Sequence, residues 1–274
     1  MNALLDTSAK LVIAHRGNSA FYPENTLASL ADGMAVGADA LEFDVRVSRD
    51  GKAVVIHDPT LERTTNGSGP VNALTFDELQ RLDAGYRFTR DGGRTFPFRG
   101  RGLTIPPLEL VLSAFPNAPM IIEIKTRDAS AEVKRLLTVA GAAARCIVAS
   151  FDDAALEPFR RGGFARGASR RELARLYARA LVPGTPDALP CTALAIPPSF
   201  HGIPIPVQRF ARMARHSGVP THVWTIDDPS QARRYWAGAV NGIITNEPAA
   251  ILAAAGRATL PPKSDSPTPA ATTH

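Results

Sequence analysis

Eight short apolar runs, separated by segments with helical spacing, constrain the fold of this chain more than any other feature. Strands that alternate with helices pair in parallel, because each helix returns the chain across the sheet by a right-handed crossover. The runs begin at or near residues 11, 41, 120, 146, 164, 193, 222 and 242. Eight strand–helix units predict an α/β fold, a (β/α)8 TIM barrel, in which chemical groups gather at the carboxyl ends of the strands.

One long connection predicts a small insertion between the second strand and the following barrel helix. Residues 52–107 contain a return strand, a short capped helix over residues 75–82 and two irregular stretches, the second rich in Arg and Phe. Long connections with little regular structure are usually functional or disordered. We therefore expect either a lid or a mobile surface loop.

Length and composition predict one domain without a membrane span. A single barrel commonly reaches ~250 residues. We assign residues 1–258 to it, followed by a disordered tail, rich in Pro, Ser and Thr, at 259–274. No apolar stretch approaches the ~20 residues of a spanning helix, and the first residues do not resemble a signal peptide. Cys146 and Cys191 lie in apolar runs, so we expect buried thiols in a cytoplasmic protein.

The net charge of +5 does not predict a nucleic-acid partner. Much of the excess is local, since many arginines surround the lone acid Glu172, at positions 160, 161, 166, 170, 171, 175 and 179. Arg171, Arg175 and Arg179 share one stripe of a predicted helix whose opposite stripe is apolar. This pattern predicts a solvated helix face.

Side chains suited to catalysis concentrate in residues 11–59. His15 follows the first strand, and His57 ends the return strand of a predicted hairpin. Glu42 and Asp44 point the same way, because successive side chains of a strand face opposite sides. With Glu123 of the next barrel strand, the two carboxylates can hold Mg²⁺ or Ca²⁺. Each carboxylate can instead pair with a cation, the candidates being Arg16, Arg46 and Lys125.

Five motifs in this stretch resemble the signature of the glycerophosphodiester phosphodiesterase family. They are His15-Arg16-Gly17, Pro23-Glu24-Asn25-Thr26, Glu42-x-Asp44-Val45, Asp50-Gly51 and His57-Asp58. The likeness continues to about residue 248 through Glu123-Ile124-Lys125, Ser150-Phe151, Val223-Trp224-Thr225 and Gly242-Ile243-Ile244-Thr245-Asn246. Five motifs in order, each in a suitable predicted element, are far more specific than one tripeptide.

The resemblance implies a metal-dependent enzyme that hydrolyses a glycerophosphodiester to sn-glycerol 3-phosphate and an alcohol such as choline or ethanolamine. It implies His15 as the base that activates the nucleophile and His57 as the acid that protonates the leaving alcohol. The implied ligands of Mg²⁺ or Ca²⁺ are Glu42, Asp44 and Glu123, with Glu24 as a further candidate. The implied contacts to phosphate and alcohol are Arg16, Lys125, Trp224 and Phe151.

Two positions depart from the family pattern, and two other functions stay open. Many members carry Asn after the Trp-Thr-x segment and Asp in the last strand, where this chain has Asp227 and Asn246. We expect this exchange to affect the pocket rim. An exposed apolar surface around Phe88, Phe96 and Phe98 would favour a lysophospholipase D-like enzyme. A catalytically silent phosphate-binding barrel would have lost one of the two histidines or three carboxylates, and all five are present.

The remaining histidines match no catalytic motif and are expected to be bystanders: His201, His216, His222 and His274. The headgroup, the identity of the metal and the oligomeric state stay open at this point. No stable insertion into a membrane is expected.

Overall fold

The computed structural model describes residues 2–180, 188–200 and 202–259. The tail predicted to be disordered therefore lies outside the described residues, except for its first residue, 259. His201 and His274 also lie outside them. The strands are β1 (Leu11–His15), β2 (Ala40–Val47), β3 (Ala53–Val55), β4 (Met120–Ile124), β5 (Cys146–Ala149), β6 (Ala165–Arg166), β7 (Leu194–Ile196), β8 (Ser199–Phe200), β9 (Ile203–Pro204), β10 (Thr221–Val223) and β11 (Gly242–Thr245). The helices are α1 (Leu27–Ala35), α2 (Phe76–Gln80), α3 (Leu108–Ala114), α4 (Ser130–Val139), α5 (Asp153–Leu156), α6 (Arg170–Ala180), α7 (Val207–His216), α8 (Pro229–Trp236) and α9 (Pro248–Ala254).

Eight parallel strands form a closed barrel, and they are the eight that the apolar runs predicted. The hydrogen-bonded order is β6-β5-β4-β2-β1-β11-β10-β7, with every neighbouring pair parallel. A parallel bridge between Gly167 and Ala193, just beyond β6 and just before β7, joins the two ends of this series. Closure brings the carboxyl ends of β1, β2 and β4 side by side.

Alternation along the strands separates the barrel interior from the layer beneath the helices. Leu41, Phe43 and Val45 of β2 are buried against the helices, so Glu42 and Asp44 must face the interior. Apolar side chains fill the lower interior, including Ile13, Ile121, Ile147 and Ile244. Leu4, from a 3-10 turn at Ala3–Leu5, joins this cluster and closes the floor.

Two successive polar residues before α1 have different roles. Thr26 is the N-cap, and its hydroxyl accepts a hydrogen bond from Ser29 N at 3.2 Å. Asn25 stands one residue earlier with φ of 58° and donates from Nδ2 to Asp44 Oδ2 at 2.9 Å. Thr26 rather than Asn25 therefore caps the helix, and the amide of Asn25 is used by a buried carboxylate.

The insertion after β2 has a small core of its own. The predicted hairpin is present, with β3 antiparallel to β2. The short capped helix predicted over residues 75–82 is present as α2, which is shorter and begins with a capping box between Thr75 and Glu78. The apolar side chains that form this core are Val54, Ile56, Leu61, Val71, Leu79, Ala84 and Ile105. This packing attaches the insertion to the barrel hairpin, while the domain limits given above stay a prediction.

The phenylalanines of the insertion do not form an exposed apolar surface. Phe98 is buried and packs against Tyr22 and Phe88, with ring centroids 5.3 Å apart in both pairs. Phe88 and Phe96 are half-buried. The exposed large apolar side chains of the described ranges lie elsewhere, at Leu110, Val139 and Ile203. No helix in those ranges has the length and apolar character needed to cross a membrane.

One predicted helix on the far side of the barrel differs from the prediction. The helix expected over residues 152–161 consists of α5 followed by a 3-10 turn at Glu157–Phe159, since Pro158 lacks the N–H needed to continue an α-helix. Arg166, one of the arginines near Glu172, is buried and forms a bidentate ion pair with Glu172, at 2.9 Å for both bonds.

Candidate functional site

A cavity of about 160 Å³ opens at the carboxyl ends of the barrel strands. It brings together both predicted histidines, both predicted phosphate contacts and both predicted aromatic contacts. The side chains that line it are His15, Arg16, Glu42, His57, Ile121, Glu123, Lys125, Ala149, Phe151, Ala195, Trp224 and Ile244. Asp44 is buried beneath it, and Glu24 lies outside this lining.

Three carboxylates converge at this cavity because their strands are neighbours in register. Asp44 pairs with Glu123 across β2 and β4, and Glu42 lies two residues before Asp44 on the same face. One oxygen from each of Glu42, Asp44 and Glu123 lies within 4.8 Å of the others. Oxygen ligands at about 2.0–2.6 Å from one cation are at most about 5 Å apart. The cluster therefore has dimensions that fit one divalent cation.

The pairing of these carboxylates is uneven. Lys125 Nζ lies 2.8 Å from Glu123 Oε2 and 3.0 Å from Asp44 Oδ1, and Arg16 Nε lies 3.0 Å from Asp44 Oδ2. Burial opposes ionisation of Asp44, but the charges of Lys125 and Arg16 outweigh it and lower its pKa to about 2. Asp44 and Glu123 thus form ion pairs with basic side chains, the alternative to metal binding that the sequence left open.

Glu42 has no such partner. Its Oε2 atom is buried without a hydrogen bond among the described residues, 3.8 Å from His15 Nε2. Burial, together with the charges of Asp44 and Glu123, raises the pKa of Glu42 well above its usual value. A buried oxygen without a partner is costly, and a bound cation would satisfy it. The donor set therefore fits a metal better than it fits the surrounding side chains alone.

His15 is oriented by a chain of polar contacts from the last barrel strand. Asn246 Nδ2 donates to Asp227 Oδ2 at 2.8 Å, which turns Asn246 Oδ1 toward His15 Nδ1 at 2.7 Å. The Nδ1–H group must therefore be the donor, and Nε2 keeps its lone pair facing the cavity. Burial, with the nearby charge of Arg16, lowers the pKa of His15 to about 4. His15 is consequently a neutral base at pH 7.

His57 is oriented by its own neighbour in sequence. His57 Nδ1 lies 2.6 Å from Asp58 Oδ1, and the His57 carbonyl accepts a hydrogen bond from Arg46 Nε at 2.8 Å. Burial opposes ionisation of Asp58, but hydrogen bonds from Arg63 and His57 outweigh it and lower its pKa to about 2. The Nδ1–H group of His57 therefore donates to Asp58, and Nε2 is the ring nitrogen directed toward the cavity.

Arg63, a residue that sequence reasoning missed, connects the two sides of the site. Its Nε donates to Asp58, and its two terminal nitrogens donate to both oxygens of Glu24 at 2.7 and 2.8 Å. Glu24 also accepts from Arg16 Nη1 at 2.8 Å. The oxygens of Glu24 are therefore used by two arginines, and Glu24 is not part of the three-carboxylate cluster. In the sequence, the short spacing from His57 to Arg63 was the feature that could have indicated a place for Arg63 near the site.

An aromatic wall forms one side of the cavity. The Phe151 ring centroid lies 6.0 Å from that of Trp224 and 6.0 Å from that of Phe200. Phe200 was not predicted, because it belongs to the β8–β9 hairpin that the sequence pattern did not indicate. The wall offers a flat apolar surface beside the charged groups, suited to the carbon skeleton of a polar substrate.

The match to a family model covers most of the chain. Residues 15–250 match the glycerophosphoryl diester phosphodiesterase family. A glycerophosphodiester phosphodiesterase of Caldanaerobacter subterraneus is 32% identical over 88% of this chain and 96% of its own length. The glycerophosphodiester phosphodiesterase of Bacillus subtilis is 30% identical over 89% of this chain and 86% of its own length.

Solved structures with the same fold come from the same family. The phosphodiesterase domain of an uncharacterized Mycobacterium tuberculosis protein superposes with a TM-score of 0.79, at 23% identity, over 90% of this chain and 99% of that domain. An Oleispira antarctica phosphodiesterase, solved with its product sn-glycerol-3-phosphate, gives a TM-score of 0.71 at 26% identity over 93% of this chain and 100% of that one. The chain therefore belongs to the glycerophosphoryl diester phosphodiesterase family, a family of phosphoric diester hydrolases.

Proposed function

We propose that this protein hydrolyses glycerophosphodiesters to sn-glycerol 3-phosphate and an alcohol, with a divalent cation and two histidines. The observation that carries the proposal is one cavity lined jointly by His15, His57, Glu42 and Glu123. The product bound to the Oleispira antarctica relative supports the same chemistry. All members of the predicted acid–base pair and metal cluster are present, which argues against a silent binding barrel.

The first chemical role belongs to His15. Its Nε2 lone pair takes a proton from the attacking nucleophile, while the Nδ1–H bond to Asn246 keeps that lone pair in the cavity. Because the pKa of His15 is lowered to about 4, the base form is present at neutral pH. Arg16 lines the same cavity and presents donors to the phosphoryl oxygens.

The second role belongs to His57, which gives a proton to the departing alcohol from Nε2. Asp58 accepts a hydrogen bond from the other ring nitrogen at 2.6 Å and thereby orients the ring for this transfer. A Mg²⁺ or Ca²⁺ ion held by Glu42, Asp44 and Glu123 would offset the negative charge of the phosphoryl group. Lys125 contributes a further positive charge, and Phe151 with Trp224 contacts the alcohol moieties.

The test is release of glycerol 3-phosphate from glycerophosphocholine and glycerophosphoethanolamine, in EDTA, Mg²⁺ and Ca²⁺. We expect EDTA to abolish turnover, one cation to restore it, and His57→Ala to lower kcat at least about 100-fold. His216→Ala is the matched control, since His216 is exposed at the end of α7. Turnover that survives EDTA, or a His57→Ala enzyme as fast as the control, contradicts the mechanism.

A lysophospholipase D-like activity has less support. Its favouring feature, an exposed surface of insertion phenylalanines, is not found, since Phe98 is buried and Phe88 and Phe96 are half-buried. A lysophosphatidylcholine arm in the same assay separates the two activities. The two free, buried thiols are consistent with the proposed cytoplasmic location, and cell fractionation tests it.

A further inference from the structure

A second and larger cleft continues from the catalytic cavity. Its volume is about 770 Å³, and Glu123, Lys125 and Phe151 line both spaces. A diester whose phosphoryl group lies at the carboxylate cluster can therefore extend one of its alcohols into this cleft. The cleft lies over the loops that follow β4, β5 and β6.

Three arginines line the cleft without a carboxylate partner. Arg127, Arg170 and Arg171 are exposed, and none has an ion pair within 4.0 Å in the described part of the chain. The Arg170 guanidinium lies 5.9 Å from the ring centroids of both Phe151 and Phe200. It thus stands against the aromatic wall that leads back to the catalytic cavity.

The acids of the cleft are largely engaged elsewhere. Asp153 and Glu157 each pair with Arg160, which is not part of the lining, at 2.9 and 2.8 Å. Glu123 pairs with Lys125 at 2.8 Å, and Asp152 Oδ1 caps α5 by accepting from Ala154 N at 2.9 Å. The lining has as many acids as bases, but the unpaired groups are mainly guanidinium donors.

We propose that this arginine cleft binds an anionic group on the substrate's second alcohol. The proposal rests on the glycerophosphodiesterase activity proposed above. The glycerol moiety is neutral and cannot pair with guanidinium, so the charge must lie on the other alcohol. Carboxylates and phosphates are the anions that match the planar fork of arginine. The preferred substrates are therefore diesters whose second alcohol carries a carboxylate or a phosphate, rather than a simple amine.

A pair of substrates that differ by one carboxylate tests this inference. Glycerophosphoserine is glycerophosphoethanolamine with one added carboxylate, and both retain the amine. A charge-assisted hydrogen bond to arginine contributes enough to raise kcat/KM for the serine diester about 10- to 100-fold. A second pair, glycerophosphoglycerol with and without a terminal phosphomonoester, tests phosphate in place of carboxylate.

Variants show whether the three arginines cause the preference. Replacing them together (Arg127→Gln, Arg170→Gln and Arg171→Gln) is expected to reduce the serine-to-ethanolamine ratio to about 3 or less. Arg175→Gln is the matched control, because Arg175 is exposed on α6 but does not line the cleft. Thermal melting and circular dichroism confirm that each variant is folded.

The failure of this inference is distinguishable from the failure of the proposed function. Suppose that the diesters are hydrolysed but that, in both pairs, kcat/KM for the substrate with the added anionic group is no higher than for its partner. This result overturns the cleft assignment and leaves the hydrolase activity intact. A preference that survives in the triple variant also overturns it. No turnover of any of the diesters by the folded, metal-supplied protein overturns both proposals.

Discussion

At the scale of single residues, the orientation of two rings determines what the site can do. His15 and His57 each have one nitrogen held by an oxygen, from Asn246 in one case and Asp58 in the other. Each ring thus has one nitrogen fixed by a hydrogen bond and the other directed toward the cavity, and burial with the charge of Arg16 lowers the pKa of His15 to about 4. The exchange of Asp227 and Asn246, expected to affect the pocket rim, also places an amide against Nδ1 of His15, the base in our proposed mechanism.

Replacing the amide should impair the base more than substrate binding. Asn246→Leu removes the acceptor for His15 Nδ1–H, so the ring is free to adopt the tautomer that presents a proton to the cavity. We expect kcat to fall by roughly 100-fold or more, with a smaller change in KM. The double variant Asp227→Asn with Asn246→Asp keeps an oxygen acceptor at this position and should be the faster enzyme. Equal rates in the two variants would contradict the orienting role, and ¹⁵N NMR of the imidazole reports the tautomer directly.

His222, expected to be a bystander, should affect stability rather than catalysis. It is fully buried, donates to Leu4 O at 3.0 Å, and burial lowers its pKa to about 4. Between pH 4 and 6.5 the unfolded chain binds a proton at this position that the folded protein excludes, so stability rises with pH in this window. Across this window, His222 changes the free energy of unfolding by about 3 kcal/mol. His222→Gln should show a correspondingly smaller loss of unfolding free energy between pH 7 and pH 4.5, and parallel curves would refute this.

At the scale of elements, the turn from β1 into α1 fixes the position of Arg16 in the site. Arg16 and Gly17 have φ of 56° and 86°, so two successive residues are left-handed. This turn directs Arg16 back toward Asp44 and Glu24, at 3.0 and 2.8 Å. A Cβ at Gly17 would lie 2.3 Å from the backbone carbon of Ser29, so only glycine fits between the turn and α1.

A pair of glycines separates the cost of backbone strain from the cost of crowding. Gly51 has φ of 81°, close to that of Gly17, but a Cβ there would meet nothing within 4 Å. Gly51→Ala should therefore lose about 1–2 kcal/mol of unfolding free energy, from backbone strain alone. Gly17→Ala should lose at least about 2 kcal/mol more, because α1 must move. Urea denaturation of both variants measures the difference. Equal losses of unfolding free energy would show that α1 can move away from the added Cβ without an energetic penalty.

At the scale of the whole molecule, the pairing of β2 with β4 in the barrel brings three carboxylates within the dimensions of a divalent-cation site. Glu42, Asp44 and Glu123 come from two neighbouring strands and cannot separate without disrupting β2 or β4. A ligand that binds only the folded state stabilises it by about 2.7 kcal/mol at 100 times its Kd. Because the pKa of Glu42 is raised, a cation bound there would compete with a proton, and we predict that its affinity increases with pH.

Chelation should therefore lower the melting temperature. We expect Mg²⁺ or Ca²⁺ at 100 times its Kd to raise Tm by roughly 5–10 °C over EDTA, with a larger shift at pH 8 than at pH 6. Glu42→Gln imitates the protonated carboxyl, so it should lose the metal-dependent shift yet melt no lower than the wild type in EDTA. A metal-induced shift that is unchanged in Glu42→Gln would exclude Glu42 as a ligand. Differential scanning fluorimetry measures Tm with cation and with EDTA, at pH 8 and at pH 6, for the wild type and for Glu42→Gln.

The sequence by itself determined the eight strands, the hairpin after β2, and the common direction of Glu42 and Asp44. These features depend on the spacing of nearby residues, which local backbone geometry converts directly into faces and turns. The tertiary structure alone decided that Asn246 meets His15 from 231 positions away, that Arg63 joins Glu24 to Asp58, and that the arginine cleft continues from the catalytic cavity. Such contacts depend on barrel register and on how far long side chains reach, and no local pattern in the chain encodes either.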